Sequence, residues 1–149
     1  MTNKCGPILL VEDNENDVFF MRRAFKRAEI NNSLQVATDG QAAIDYLSGI
    51  GPFTDRHQFP LPCFILLDLK LPIKSGLEVL HWIRQQPQLR ATVVVILTTS
   101  REPNDVVAAY GLGVNAFLVK PNDVSQLMQL VQALKVFWLQ FNEFPYHHE

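Results

Sequence analysis

Five residues carry most of the chemistry this sequence can offer: Glu12, Asp13, Asp68, Thr98 and Lys120. Each stands at the end of a short apolar run. Ile8 to Val11 leads into Glu12 and Asp13, Phe64 to Leu67 into Asp68, Val93 to Leu97 into Thr98, and Ala116 to Val119 into Lys120. Brief runs that are apolar throughout read as strands buried on both faces. In an open parallel sheet, ligands bind beyond the carboxyl ends of the strands, where these polar side chains would gather. If the first and third strands are neighbours, their ends lie ~4.8 Å apart, and Glu12, Asp13 and Asp68 crowd together. Carboxylates that close repel one another unless a cation joins them. Hard oxygen donors with only partial coordination suit Mg²⁺, which keeps several waters. A metal, a lysine and a hydroxyl around one aspartate form a set for handling a phosphoryl group. Asp68 can act as nucleophile and form an aspartyl-phosphate. The metal and the Lys120 ammonium would offset charge on the equatorial oxygens, and Thr98 could hydrogen-bond the product. Taken singly, each residue has a plainer reading: a solvated lysine, a strand-end threonine, a turn aspartate ahead of Pro72.

The elements that must position these residues alternate along the chain. A fifth apolar run spans Leu34 to Ala37. Between the runs, helical spacing recurs. Val18, Met21, Phe25 and Ala28 step by 3, 4 and 3 within Asn14 to Ala28. Ser75 followed by Glu78 reads as a capping box. Asp39 is an N-cap candidate for Gly40 to Leu47. Gly113 ends a helix that begins near Pro103, and Asn122 or Asp123 caps the last and longest helix. Five strands alternating with five helices predict α/β architecture with a parallel sheet. One stretch breaks the rhythm. Ser48 to Pro62 holds Gly49, Gly51, Pro52, Pro60 and Pro62 and has no period, so it reads as a surface insertion or, more sharply, as a partner-contact loop.

Composition narrows the function classes. At 149 residues, 48% hydrophobic and 19% charged, the chain has the balance of one globular domain. A net charge of −2 gives no electrostatic case for nucleic-acid binding. Cys5 and Cys63 show neither metal spacing nor a disulfide framework, which points to a reducing compartment. Cys5 reads as a surface thiol and Cys63 as a small buried hydrophobe. His57, His81, His147 and His148 have no ligand spacing with the acids. Neither a signal peptide nor a membrane span is visible. The expectation is a cytoplasmic protein with no membrane partner.

Together, Glu12-Asp13, Leu66-Leu67-Asp68 with Leu71-Pro72 and Gly76, Leu97-Thr98, and Phe117-Leu118-Val119-Lys120-Pro121 resemble the receiver domain of two-component response regulators. The likeness covers about Pro7 to Ala133. It implies a flavodoxin-like, doubly wound five-stranded parallel sheet of order 2-1-3-4-5, an order cited for members of this fold class. It also implies that Asp68 accepts a phosphoryl group from a kinase phosphohistidine. Asp13, Asp68 and the backbone carbonyl of Lys70 would then hold Mg²⁺, with Glu12 binding directly or through water. Lys120 would pair with the phosphoryl group. Thr98 would be the switch hydroxyl and Phe117 the aromatic that turns with it. Pro121 would follow a cis peptide bond, and Asp17, Phe20, Pro121 and Asn122 would contact the kinase. Two positions depart from the common pattern beside the site, Thr99 and Lys70, and both could alter phosphate lifetime.

The last helix carries more apolar surface than one sheet needs. Val124, Leu127, Val131, Leu134, Trp138 and Phe141 form one stripe, and Leu130, Leu134, Phe137, Phe141 and Phe144 a second. A helix apolar around that much of its girth needs another partner. The expectation is a homodimer through Phe137, Trp138, Phe141 and Phe144, with a folded-back tail as the alternative. The chain then divides into a receiver domain at 7–135 and an extension of the last helix with an aromatic tail at 136–149. With no second domain expected, output falls to protein contact or onward phosphotransfer. The Ser48–Pro62 insertion and the aromatic tail resemble the small response regulators paired with cyanobacterial phytochrome histidine kinases. Three rivals remain at this point. A haloacid-dehalogenase-type phosphatase wants an acid where Lys70 stands. A flavodoxin-like flavin binder wants hydroxyls, not Glu12-Asp13, after its first strand. A receiver that has lost phosphorylation would not need the acid, threonine and lysine set.

Overall fold

The structure is a computed structural model and describes residues 6–145. Cys5, His147 and His148 lie outside the described residues. Strands β1 (Ile8–Val11), β2 (Leu34–Ala37), β3 (Phe64–Leu67), β4 (Val93–Thr98) and β5 (Ala116–Val119) form one parallel sheet in the order β2-β1-β3-β4-β5. The order and the parallel pairing agree with the expectation. The inner strands β1, β3 and β4 are buried at every position, whereas β2 and β5 at the edges are mostly half-buried. Burial on both faces therefore belongs to the three central strands, which have neighbours on either side.

Helices cover the two faces. On one face α2 (Gly40–Ser48), α3 (Gly76–Gln85) and α4 (Pro103–Gly111) pack on Leu9, Val11, Ile65, Leu67 and Ile96. On the other, α1 (Glu15–Arg27) and α5 (Val124–Leu134) pack on Ile8, Leu10, Leu66, Val95 and Leu97. Alternate strand residues thus feed opposite cores, as the two-residue period of a strand requires. The caps are local and chemical. Asn14, Asp39, Ser75 and Asp123 each accept a backbone N–H from three residues on. Asp123, not Asn122, is therefore the cap of α5. Glycine is required at the start of α3: a Cβ on Gly76 would collide with the carbonyl oxygen of Asp68, so the β3–α3 connection folds tightly back over the strand end.

Ser48–Pro62 is a mostly exposed surface segment, as a surface insertion would be, but it is tied down from within. A short 3-10 turn (Gly51–Phe53) opens it, and the Arg56 guanidinium donates to the carbonyl oxygens of Tyr46, Leu47 and Phe59 at 2.7, 2.9 and 3.1 Å. Arg56 thereby satisfies the Leu47 carbonyl at the end of α2 and adds a second donor to that of Tyr46, which also accepts from the Gly49 N–H. Phe53 and Phe59 stack edge-on against each other, 5.1 Å between centroids, and both meet Tyr46. The segment is anchored to the core although it has no helical or strand period.

The last helix does not continue as one α-helix. After Leu134 it widens into a π-helical stretch (Lys135–Phe141). Widening from i→i+4 to i→i+5 bonding rotates later residues off the 3-4 stripe. Trp138 turns inward onto Phe64, with ring centroids 5.8 Å apart, and both Trp138 and Phe144 pack against this chain's own core. Phe137 and Phe141 stay exposed, at 60% and 75%. Of the four aromatics expected to face a second copy, two are drawn into the fold. Cys63 is buried but is not a free cysteine, which corrects its reading as a simple hydrophobe. Among the described residues no helix is long and apolar enough to cross a membrane.

Candidate functional site

Register places the acids. Val11 pairs with Leu67 in adjacent strands, so Glu12 and Asp68 leave the sheet side by side. The Asp68 N–H donates to the Val11 carbonyl oxygen at 3.1 Å, and the Glu12 N–H to that of Ala37 at 3.0 Å. One carboxylate oxygen from each of Glu12, Asp13 and Asp68 lies within 4.8 Å of the others. Glu12 is buried (3% exposed) and Asp13 is exposed.

Lys120 closes the cluster from β5. Its position is fixed by its own backbone, whose N–H donates to the Thr98 carbonyl oxygen at 2.8 Å. Its Nζ donates to Glu12 Oε1, to Asp17 Oδ2 at 2.9 Å and to Asp68 Oδ2 at 3.1 Å. The other oxygens are also engaged. Leu69 N–H donates to Asp68 Oδ1 at 2.7 Å, and Asn14 N–H to Glu12 Oε2 at 3.2 Å.

These surroundings set the charges. Burial pushes the Glu12 carboxyl up to about 7, the negative charge of Asp68 adds to the rise, and the Lys120 hydrogen bond opposes both. For Lys120, burial works against the ammonium. The hydrogen bonds it donates to Glu12 and Asp17 and the charge of Asp68 outweigh it, so its pKa rises above the ordinary lysine value. One ammonium faces Glu12, Asp17 and Asp68, and burial remains the largest cause of the Glu12 rise. Three hard carboxylate oxygens converging at this distance match the donor chemistry of a divalent cation that retains part of its water shell.

Glu12, Asp13, Asp68 and Lys120 thus meet at one rim of the sheet. Thr98 does not line that pocket. It ends β4 fully buried, and its hydroxyl accepts from Ser100 N–H at 3.4 Å. The hydroxyl residue that borders the cleft is Thr99, which is exposed. Thr98 is the last residue of β4 and sits within the core layer, whereas Thr99 is the first residue past the strand end, where the chain bends over the cleft. Phe117 is half-buried against the α2–α4 face. Lys70 is exposed on the connection after β3. That connection is strained: Ile73 holds a φ of 70°, rare for a β-branched residue. The Lys120–Pro121 bond is trans, and no cis peptide occurs among the described residues. This corrects the expected cis bond and agrees with the intrinsic trans preference of X–Pro bonds.

Asp17, Phe20, Pro121 and Asn122 border one cavity of about 390 Å³ between α1 and the β5–α5 connection, with Met21 and Leu127 deeper inside. The ion pair of Asp17 with Lys120 was not legible in the sequence, where the two stand 103 positions apart. The only signal was an acid in the first turn of the helix that follows Glu12-Asp13.

The family model for the response regulator receiver domain matches residues 8–132. Response regulator Rcp1 of Synechocystis sp. is 41% identical over 148 residues, 97% of this chain and 99% of that protein. The crystal structure of its Mn(2+)-bound form superposes with a TM-score of 0.86 at 40% identity, covering 95% of this chain and 99% of the other. The phosphorylated cyanobacterial phytochrome response regulator RcpA gives 0.88 at 35% identity, with the same coverage.

Proposed function

The chain belongs to the response regulator receiver family, and we propose on that premise that Asp68 takes a phosphoryl group from a histidine kinase, Mg²⁺ being the cation held by Glu12, Asp13 and Asp68. The observation that carries this reading is the Lys120 ammonium 3.1 Å from Asp68 Oδ2, beside three convergent carboxylates. An Asp68 carboxylate oxygen attacks phosphorus and forms the O–P bond. The P–N bond of the kinase phosphohistidine breaks, and the imidazole leaves with the electron pair and takes up a proton. Bound Mg²⁺ supplies charge neutralisation for the phosphoryl oxygens. Lys120 supplies a second positive charge from the β5 side and orients Asp68. The Leu69 N–H keeps Asp68 Oδ1 turned inward, which leaves Oδ2 toward Lys120.

The chain acts as acceptor and catalyses its own phosphorylation and slow dephosphorylation. The kinase is a phytochrome, a reading supported by the likeness to RcpA over 95% of the chain. It docks across the α1 and β5–α5 cavity through Asp17, Phe20, Pro121 and Asn122. Thr98, turned away from the cleft before phosphorylation, moves with its loop toward the phosphoryl group and makes room for Phe117 to turn inward, and the Lys70 carbonyl joins the cation's ligands. Output passes by protein contact or onward phosphotransfer in the cytoplasm. The receiver domain spans 7–135. The extension beyond it serves a homodimer in which Phe137 and Phe141, rather than Trp138 and Phe144, offer apolar surface.

Treatment with acetyl phosphate and Mg²⁺, followed by intact mass, tests the reading. Wild type gains one phosphoryl group and Asp68→Asn gains none. Equal labelling of the two would overturn it.

A further inference from the structure

We infer that Asp17 is the positioning residue of Lys120: its carboxylate keeps the ammonium aimed at Asp68 whether or not a cation occupies the acidic cluster. This rests on the phosphoacceptor reading above. A lysine ammonium has three N–H donors and no acceptor. Three carboxylates take them here: Glu12, Asp17 at 2.9 Å and Asp68 at 3.1 Å. Two of these, Glu12 and Asp68, belong to the cluster whose oxygens converge for a cation. A cation bound there draws on the same oxygens as Lys120. Asp17 stands outside that cluster, so its bond to Lys120 survives loading.

The anchor is rigid at its own end. Asp17 sits in the first turn of α1, and its N–H donates to the Asn14 cap at 3.1 Å. Lys120, by contrast, reaches the site on a flexible four-carbon stem. Its side chain is 14% exposed, so water screens the pair less than it screens an open surface bridge. Asp17, 42% exposed, closes the mouth of the site from the helix side. A phosphoryl group on Asp68 then meets an ammonium already held in place.

The test uses the full chain with Mg²⁺ and two readouts. One is the rate of Asp68 labelling by acetyl phosphate. The other is hydrogen exchange of the Lys120 ammonium protons, followed by nitrogen-15 NMR in the unphosphorylated protein. Asp17→Asn speeds the exchange and slows labelling by about tenfold, as expected when a reacting group loses its placement. Asp17→Glu, which keeps the carboxylate, recovers part of both. Glu15→Gln, in the same helical turn, leaves both at wild-type values. An unchanged labelling rate or unchanged exchange in Asp17→Asn overturns the inference. So does an equal loss in Asp17→Asn and Asp17→Glu, which would place the effect in α1 and not in the carboxylate. If wild type itself is not labelled at Asp68, the phosphoacceptor reading fails, and the ammonium exchange alone decides whether Asp17 holds Lys120.

Discussion

Replacing Asp13 by Asn separates the cost of the acidic cluster from its use. Asp13 is exposed, and among the described residues no ion pair holds it, since Lys120 is spent on Glu12, Asp17 and Asp68. Removing its charge therefore loses little attraction and relieves repulsion from two neighbours at 4.8 Å or less. Two unit charges at that distance repel by about 0.9 kcal/mol in bulk water and about 3.5 kcal/mol at an effective dielectric of ~20. Asp13 faces water, so the low end applies to each neighbour. Asp13→Asn should stabilise the chelator-treated protein by about 1–2 kcal/mol. Adding Mg²⁺ reverses the comparison. A cation that binds only the folded state stabilises by about 2.7 kcal/mol at a hundredfold excess over its dissociation constant, and the variant has lost one of its three acids. The assay is urea unfolding of both proteins in EDTA and in millimolar Mg²⁺. A variant no more stable than wild type in EDTA, or one that gains as much from Mg²⁺, would refute the repulsion account.

Three further outcomes follow from particular side chains. Burial raises the Tyr46 phenol from its ordinary 10.0 to about 12, with the Arg56 charge opposing, and its hydroxyl donates to the Pro60 carbonyl oxygen at 2.8 Å. Between those values the unfolded chain has lost a proton that the folded chain keeps, so this contribution is complete below pH 10 and falls away toward pH 12. The stability gap between wild type and Tyr46→Phe should be flat below pH 10 and shrink across that window in a urea titration. Arg84 donates to the carbonyl oxygens of Gly113, Arg90 and Thr92 and to Asn115 Oδ1. Arg84→Lys keeps the charge but not the fork, and should lose roughly 2–4 kcal/mol in urea unfolding. Ile73 is 76% exposed with its φ at 70°. Ile73→Asn should raise stability by about 1 kcal/mol by relieving left-handed strain, visible as a higher melting temperature.

Much of this was legible beforehand because the signals were local. Runs such as Ile8–Val11 and Phe64–Leu67 marked strand limits that the structure keeps, since wholly buried strands must be apolar throughout. Ser75 and Asp39 named their own caps because a cap acts over three residues. The acids and Lys120 were placed by the strand-end rule, which needs only chain order. What failed was non-local or lay in the backbone. Thr98 and Thr99 are both hydroxyl residues, and only the point at which β4 ends decides which one faces the cleft. Arg56 stabilises a segment whose Gly and Pro content reads as irregular, because its acceptors are carbonyls with no residue signature. The widening after Leu134 leaves the 3-4 spacing intact on paper while rotating Phe141 to the surface.

The pairing of Val11 with Leu67 makes this pocket a counting device. A single codon inserted between Ile65 and Leu66 would push Leu67 out to the place Asp68 now holds and leave the aspartate one step beyond it, with every later strand still free to pair. Such a protein would keep its secondary structure yet hold grease where it needs a nucleophile. Length changes within β1 or β3 should therefore be far more damaging than equal changes at the exposed loop residues Thr54 and Asp55.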